Sequence, residues 1–173
     1  MKNSYNLISA MAHKIKKQKK WPFFQAYHDQ KYIQHHNCIK VVSLREPKEN
    51  RTYKLHNKQK KEIVVYKIDG GLINNSCVLK CDKGIYTEDD WLFLIELKGK
   101  DLEHALEQIN STIDILLKQK SIKLKKLNAR VVVSKVSIPK ILASKEKKLK
   151  QLLYKSYGGG DYKKQSRLLE ETL

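Results

Sequence analysis

The segment Trp91-Leu92-Phe93-Leu94-Ile95-Glu96-Leu97 is apolar at every position but one. It is far shorter than the ~20 residues of a membrane span. It also lacks the alternation of a strand wet on one face, so it predicts a central strand covered on both sides. Gly99 closes it, and Asp101 is a good N-cap. Leu102, Ala105, Leu106, Ile109, Ile113 and Leu116 then recur at the helical period of about 3.6 residues, predicting an amphipathic helix over 101–117. Arg130-Val131-Val132-Val133 is short and β-branched, and reads as the next strand. A strand, a covering helix and a further strand form a crossover unit, expected to be right-handed with parallel strands.

Upstream, 51–56 and 62–68 read as strands joined by a polar, lysine-rich turn. Asp69-Gly70-Gly71 ends the second, and 72–75 leads into a third over 77–83. A hairpin of 77–86 with 92–98 around 87–91 makes the sheet mixed. The expected fold class is therefore α/β, with an antiparallel hairpin plus a parallel crossover strand, flanked by helices. Pro139 opens a lysine-rich helix with Ile141, Leu142, Leu149, Leu152 and Leu153 inward. Gly158-Gly159-Gly160 reads as a flexible break before a tail of no clear type. Near the start, Leu7, Ile8, Met11 and Ile15 share a helical face, Trp21-Pro22-Phe23-Phe24 looks like an aromatic anchor, and Glu46-Pro47-Lys48-Glu49-Asn50 is a turn. At 173 residues a single domain is expected. It divides into an N-terminal helical and basic region (1–50), a core (51–135), and a C-terminal helix and tail (136–173).

Lysine and arginine total 36 against 18 acids, a formal net charge of +18. Such a chain repels itself unless an anion lies against it. Only Arg45, Arg51, Arg130 and Arg167 are arginines. Arginine reads guanine edges with a planar fork, whereas lysine is a point charge suited to sequence-neutral phosphate contact. Clusters at 14–20, 58–61, 118–126 and 145–150 suit a phosphate-facing wall; the bland alternative is a genome rich in lysine codons. The three cysteines read as reduced thiols, and the start lacks a cleavable leader pattern. The expected location is cytoplasmic, with no membrane partner.

Glu96 and Lys98 end an apolar strand, and residues two apart on a strand face one side. Of three Glu-x-Lys triplets, the other two fall in the proline turn at Glu46 and on the solvated helix at Glu146. A second carboxylate would let Glu96 grip a cation. Asp90 lies roughly 20 Å away along the same strand, too far, and Asp89 is farther. In the proposed hairpin Asp82 falls directly opposite Glu96, and opposed residues have Cβ atoms ~4.5–5.5 Å apart. The alternative is an Asp82–Lys98 or Glu96–Lys98 ion pair at a sheet end.

Cys81-Asp82, then Leu92-Phe93-Leu94-Ile95-Glu96-Leu97-Lys98-Gly99, then a helix bearing Ala105-Leu106-Glu107-Gln108, resembles the core of the PD-(D/E)XK nuclease superfamily over about residues 62–135. The resemblance implies a restriction-endonuclease-like fold and an endonuclease or related nuclease, a hydrolase of phosphodiester bonds acting on DNA. It implies magnesium, with manganese as a substitute, held by Asp82, Glu96 and the Leu97 carbonyl. Lys98 would position or deprotonate the attacking water, and Gln108 matches a glutamine that some members carry. The residue before Asp82 is Cys81 rather than proline. An acidic residue on an early helix has no convincing equivalent, with Glu46, Glu49 and Glu62 as candidates.

His28, His35, His36 and Cys38 are dense but match no paired zinc-ligand spacing. Cys77 and Cys81 read as buried thiols on one strand face. The partner expected is nucleic acid, DNA before RNA, and a homodimer is compatible with the chain. The rival reading is a non-catalytic basic DNA- or RNA-binding accessory protein on the same scaffold. An RNA-associated version of it predicts exposed aromatics beside the lysines.

Overall fold

A computed structural model describes residues 21–45, 50–98, 101–134 and 140–173. The expected first helix, the 14–20 cluster, the turn at 46–49, Glu46, Glu49 and Pro139 lie outside them.

In chain order the elements are α1 (Pro22–Ala26), β1 (Ile33–Asn37), β2 (Val41–Arg45), β3 (Thr52–His56), β4 (Ile63–Lys67), β5 (Lys83–Thr87), β6 (Trp91–Leu97), α2 (Leu102–Ile113), β7 (Lys126–Val133), α3 (Lys140–Ser156), β8 (Tyr162–Ser166) and β9 (Leu168–Thr172). A six-stranded sheet runs β1-β4-β5-β6-β7-β8, and a three-stranded sheet runs β2-β3-β9. In the larger sheet β6 pairs antiparallel with β5 and parallel with β7, so the sheet is mixed. This is a mixed α/β architecture.

The apolar run of β6 explains the layering. Leu92 and Leu94 sink under the helices, in one core with Leu106 and Ile109 of α2 and Leu149 and Leu153 of α3. Phe93, Ile95 and Leu97 face the other way and pack against Val42, Tyr53, Leu55 and Leu169 of the smaller sheet. Helix α2 starts where expected because the Asp101 carboxylate accepts the His104 amide at 2.9 Å. It runs on into a π-helical turn at Asp114–Lys118. Two rings of the aromatic anchor are buried and Phe24 is half-buried: Phe23 meets Tyr66 edge-on, and Trp21 meets Tyr86 in the same way. It is therefore no exposed stacking platform.

Three expectations need correction, and two points left open by the sequence are settled. The strands near 51–56 and 62–68 exist, but β3 and β4 belong to different sheets. Buried Asn57 turns the chain between them, donating to the carbonyls of Ile39 and Lys61. Strand 77–83 is instead a turn, and the ladder begins only at Lys83. There Asn75 accepts the Cys77 amide, and Lys80 Nζ binds the carbonyls of Asn75 and Val78, so local bonds replace pairing. As a result Cys77 is exposed and only Cys81 is buried. Gly158-Gly159-Gly160 is a defined tight turn: a Cβ on Gly158 would lie 1.8 Å from the Lys125 carbonyl oxygen, and one on Gly160 equally close to that of Leu127. The tail is two strands, β8 extending the large sheet beside β7 and β9 extending the small one beside β3.

A polar cluster ties these layers together. Arg130 is buried and grips both carboxylate oxygens of Glu171. Tyr53 and Lys163 donate to the same carboxylate at 2.8 and 2.7 Å. Burial alone would raise the Glu171 pKa, but these donors hold it below the ordinary value. Among the described residues no helix is long and apolar enough to cross a membrane.

Candidate active site

The β5–β6 register pairs Lys83 with Ile95 and Gly84 with Leu94. Continuing one residue outward puts Asp82 across from Glu96, on the helix-covered face, as in the hairpin expected from the sequence. Asp82 is fixed at both ends. Its Oδ2 accepts the Leu97 amide at 2.7 Å, and its carbonyl accepts the Ile68 amide at 3.1 Å. The end of β4, the start of β5 and the end of β6 thus meet at this residue.

Glu96 is 1% exposed. Its Oε2 is buried with no hydrogen-bond partner among the described residues, so an ion pair with Lys98 does not satisfy it. Burial, and then the Asp82 charge, push its pKa up to about 9, while Lys98 and the Asp82 amide oppose the rise. Burial beside a second carboxylate thus favours the neutral acid over a bare charge at Glu96. Burial first, and then the neighbouring carboxylates Glu96 and Asp82, raise the Cys81 thiol well above its ordinary value, so this cysteine is an inert wall.

Helix α2 holds the acid-bearing segment from behind. Gln108 Nε2 donates to the Lys80 carbonyl at 2.7 Å, and Thr112 Oγ1 accepts the Cys81 amide at 2.9 Å. Gln108 Oε1 is buried without a hydrogen-bond partner among the described residues, a second unsatisfied oxygen beside that segment. The Leu97 carbonyl accepts Arg51 Nε at 3.2 Å, and Arg51 Nη1 donates to Ser134 Oγ at 3.0 Å. A cation at this carbonyl would therefore use its second lone pair, beside a guanidinium.

Two charged residues join the site without having been singled out as site residues. Asp69 acts electrostatically on Glu96 and pairs with Lys80 at 3.3 Å. In the sequence it looked like a turn residue, and the Asp-Gly-Gly stop after an apolar strand was its only signal. Arg51 looked like the start of a strand, and nothing local predicted its reach to Leu97.

Other candidates fall elsewhere. Asp90 accepts Tyr86 Oη at 2.6 Å and the Lys125 amide at 2.9 Å, bracing the far end of the β5–β6 hairpin. Glu62 precedes β4, at the end of that strand away from Asp69, and bonds His36 Nε2 at 2.9 Å. Cys38 is exposed.

Among the described residues no three or more His, Cys, Asp or Glu side chains gather into a metal cage. A zinc-type site does not fit this donor set. A hard divalent cation that keeps most of its waters does fit two carboxylates, one of them with a buried unpartnered oxygen. Comparison with protein-family models, curated proteins and solved structures finds no match for this chain.

Proposed function

We propose that the protein is a magnesium-dependent nuclease that hydrolyses phosphodiester bonds in DNA. The observation that carries this reading is Glu96, fully buried, with one carboxylate oxygen unpartnered and Asp82 opposite. A buried acid beside another acid costs stability unless a cation or proton compensates it. The meander β4-β5-β6, the crossover helix α2 and parallel β7 also suit a restriction-endonuclease-like core.

Asp82 and Glu96 would hold the ion, with the Leu97 carbonyl as a further contact. A bound magnesium neutralises charge at phosphorus and acidifies a coordinated water. Glu96 would have to give up its proton to hold an ion, so loading would release protons. Lys98 Nζ, at the strand end beside Glu96, would position the attacking water or take its proton. Gln108 and Thr112 keep the segment before Asp82 in register. Arg51 fixes the Leu97 carbonyl.

The rival is a non-catalytic binder, favoured by the net charge of +18 and by the lack of a third acidic ligand among the described residues. Linear, circular, branched and single-stranded DNA incubated with and without magnesium separates the two. Hydrolysis that requires the metal and disappears in Asp82→Asn, with DNA binding in EDTA retained, is expected. Binding without hydrolysis in magnesium or manganese would leave the binder.

A further inference from the structure

Helix α3 presents Lys147, Lys148, Lys150, Gln151, Tyr154 and Lys155 to solvent. The ion pairs around this helix join Lys145 to Glu103 and Glu107, and Lys164 to Glu146. They use none of the four exposed lysines. Lys147 and Lys150, three residues apart on the helix, repel each other, so an anion lying against them is stabilising.

Tyr154 distinguishes the face from an ordinary solvated one. It is 70% exposed, the most exposed of the large hydrophobic side chains described. Gly159 sits beside it, where a side chain's first carbon would come within 3.9 Å of the ring. The backbone there is left-handed, with φ +74°, which suits glycine, and no side chain covers the ring from that position. Tyr154 borders a cleft of about 380 Å³ with Lys150 and Lys155. Lys150 and Tyr162 also border a second cleft, of about 620 Å³. The acids bordering these clefts are already engaged: Asp161 by Arg130, and Glu170 by His56.

The helix leads from one end of the sheet to the other. It begins beyond the end of β7, and the Tyr157 carbonyl at its far end accepts the Leu127 amide. Leu127 pairs with Leu92, and Val131 with Glu96. Four residues of strand therefore separate the two levels, on the order of 13 Å. An open aromatic ring beside lysines that make no ion pair among the described residues, Lys150 lying over the Tyr162 ring, suits a DNA or RNA strand whose bases are free to stack, and does not suit a duplex, whose bases are covered.

We propose that the Tyr154 face of α3 binds single-stranded DNA, with a base on the Tyr154 ring and phosphates on Lys150 and Lys155. The proposal deepens the nuclease reading and rests on it for the substrate class: DNA carrying a single-stranded segment next to the cut.

The test measures anisotropy of labelled oligo-dT, a duplex of equal length and oligo-U in EDTA. Tyr154→Ala should weaken oligo-dT binding roughly ten- to a hundredfold and duplex binding less than twofold, whereas Tyr154→Phe should retain both. Lys150→Ala with Lys155→Ala should lower the salt slope for oligo-dT by about 1.4. Unchanged oligo-dT binding in Tyr154→Ala, equal loss on the duplex, a Phe variant as weak as Ala, or tenfold preference for oligo-U each overturns the proposal. Magnesium-dependent hydrolysis is scored separately. Its absence alongside the expected binding losses sinks the nuclease and the substrate class, and leaves the strand contact. Its presence with Tyr154→Ala binding unchanged does the reverse.

Discussion

A carboxyl group at 1% exposure has given up nearly all its hydration, and at Glu96 only part of the loss is returned by hydrogen bonds. Its pKa of about 9 against an ordinary 4.5 makes this a pH-dependent cost. Below pH 4.5 folded and unfolded chains both hold the proton. As pH rises toward 9 the unfolded chain has released it and the folded chain has not, so stability falls across that window. Glu96→Gln removes the dependence. In EDTA the variant should be more stable than wild type by on the order of 3 kcal/mol at pH 7, and nearly equal to it at pH 4.5. Urea midpoints at the two pH values measure this, and a pH-independent difference contradicts the assigned protonation. At the neighbouring position, Lys98→Ala should lower turnover by roughly 10²–10⁴-fold with little change in DNA affinity, the range of a proton-transfer group. A matching fall in affinity with no specific loss of hydrolysis reduces Lys98 to a phosphate contact.

Among the elements, the turn after α3 has the least room for change. Gly160→Ala would drive a methyl group into the Leu127 carbonyl, so β8 must move away from β7. The expected loss is about 2 kcal/mol or more, the scale of backbone clashes at such positions; a denaturation midpoint within error of wild type would show that the turn yields freely. What the sequence made legible follows the same physics. β6 and α2 were readable because burial on two faces, or on one helical stripe, writes itself as an apolar run or a repeat. The Asp82–Glu96 juxtaposition was readable because hairpin register is arithmetic once the turn is found. β8 and β9 were not, because Lys163, Lys164, Glu170 and Glu171 give a largely polar pattern whose pairing is settled by distant partners. Arg51 at the Leu97 carbonyl was invisible for the same reason, since 46 residues separate the two.

For the molecule as a whole, charge governs association. With +18 to neutralise, about six phosphate contacts should cost on the order of a thousandfold in DNA affinity between 50 and 200 mM salt, with little dependence on sequence. A flat salt response in a filter-binding or anisotropy titration removes nucleic acid as the partner. The two closing strands bear on a different matter, the order in which the chain is made. β9 pairs with β3 from Thr52–Leu168 to His56–Thr172, and β8 completes the flank of β7. A ribosome delivers β3 more than a hundred residues before its partner exists. Throughout that interval the β3 edge is bare, and once β7 has been made its outer edge is bare too until β8 follows, and such edges capture other chains. Neither sheet can close until residues 162–172 emerge, so the β3 edge stays open to misassembly for the whole stretch of synthesis that separates it from β9.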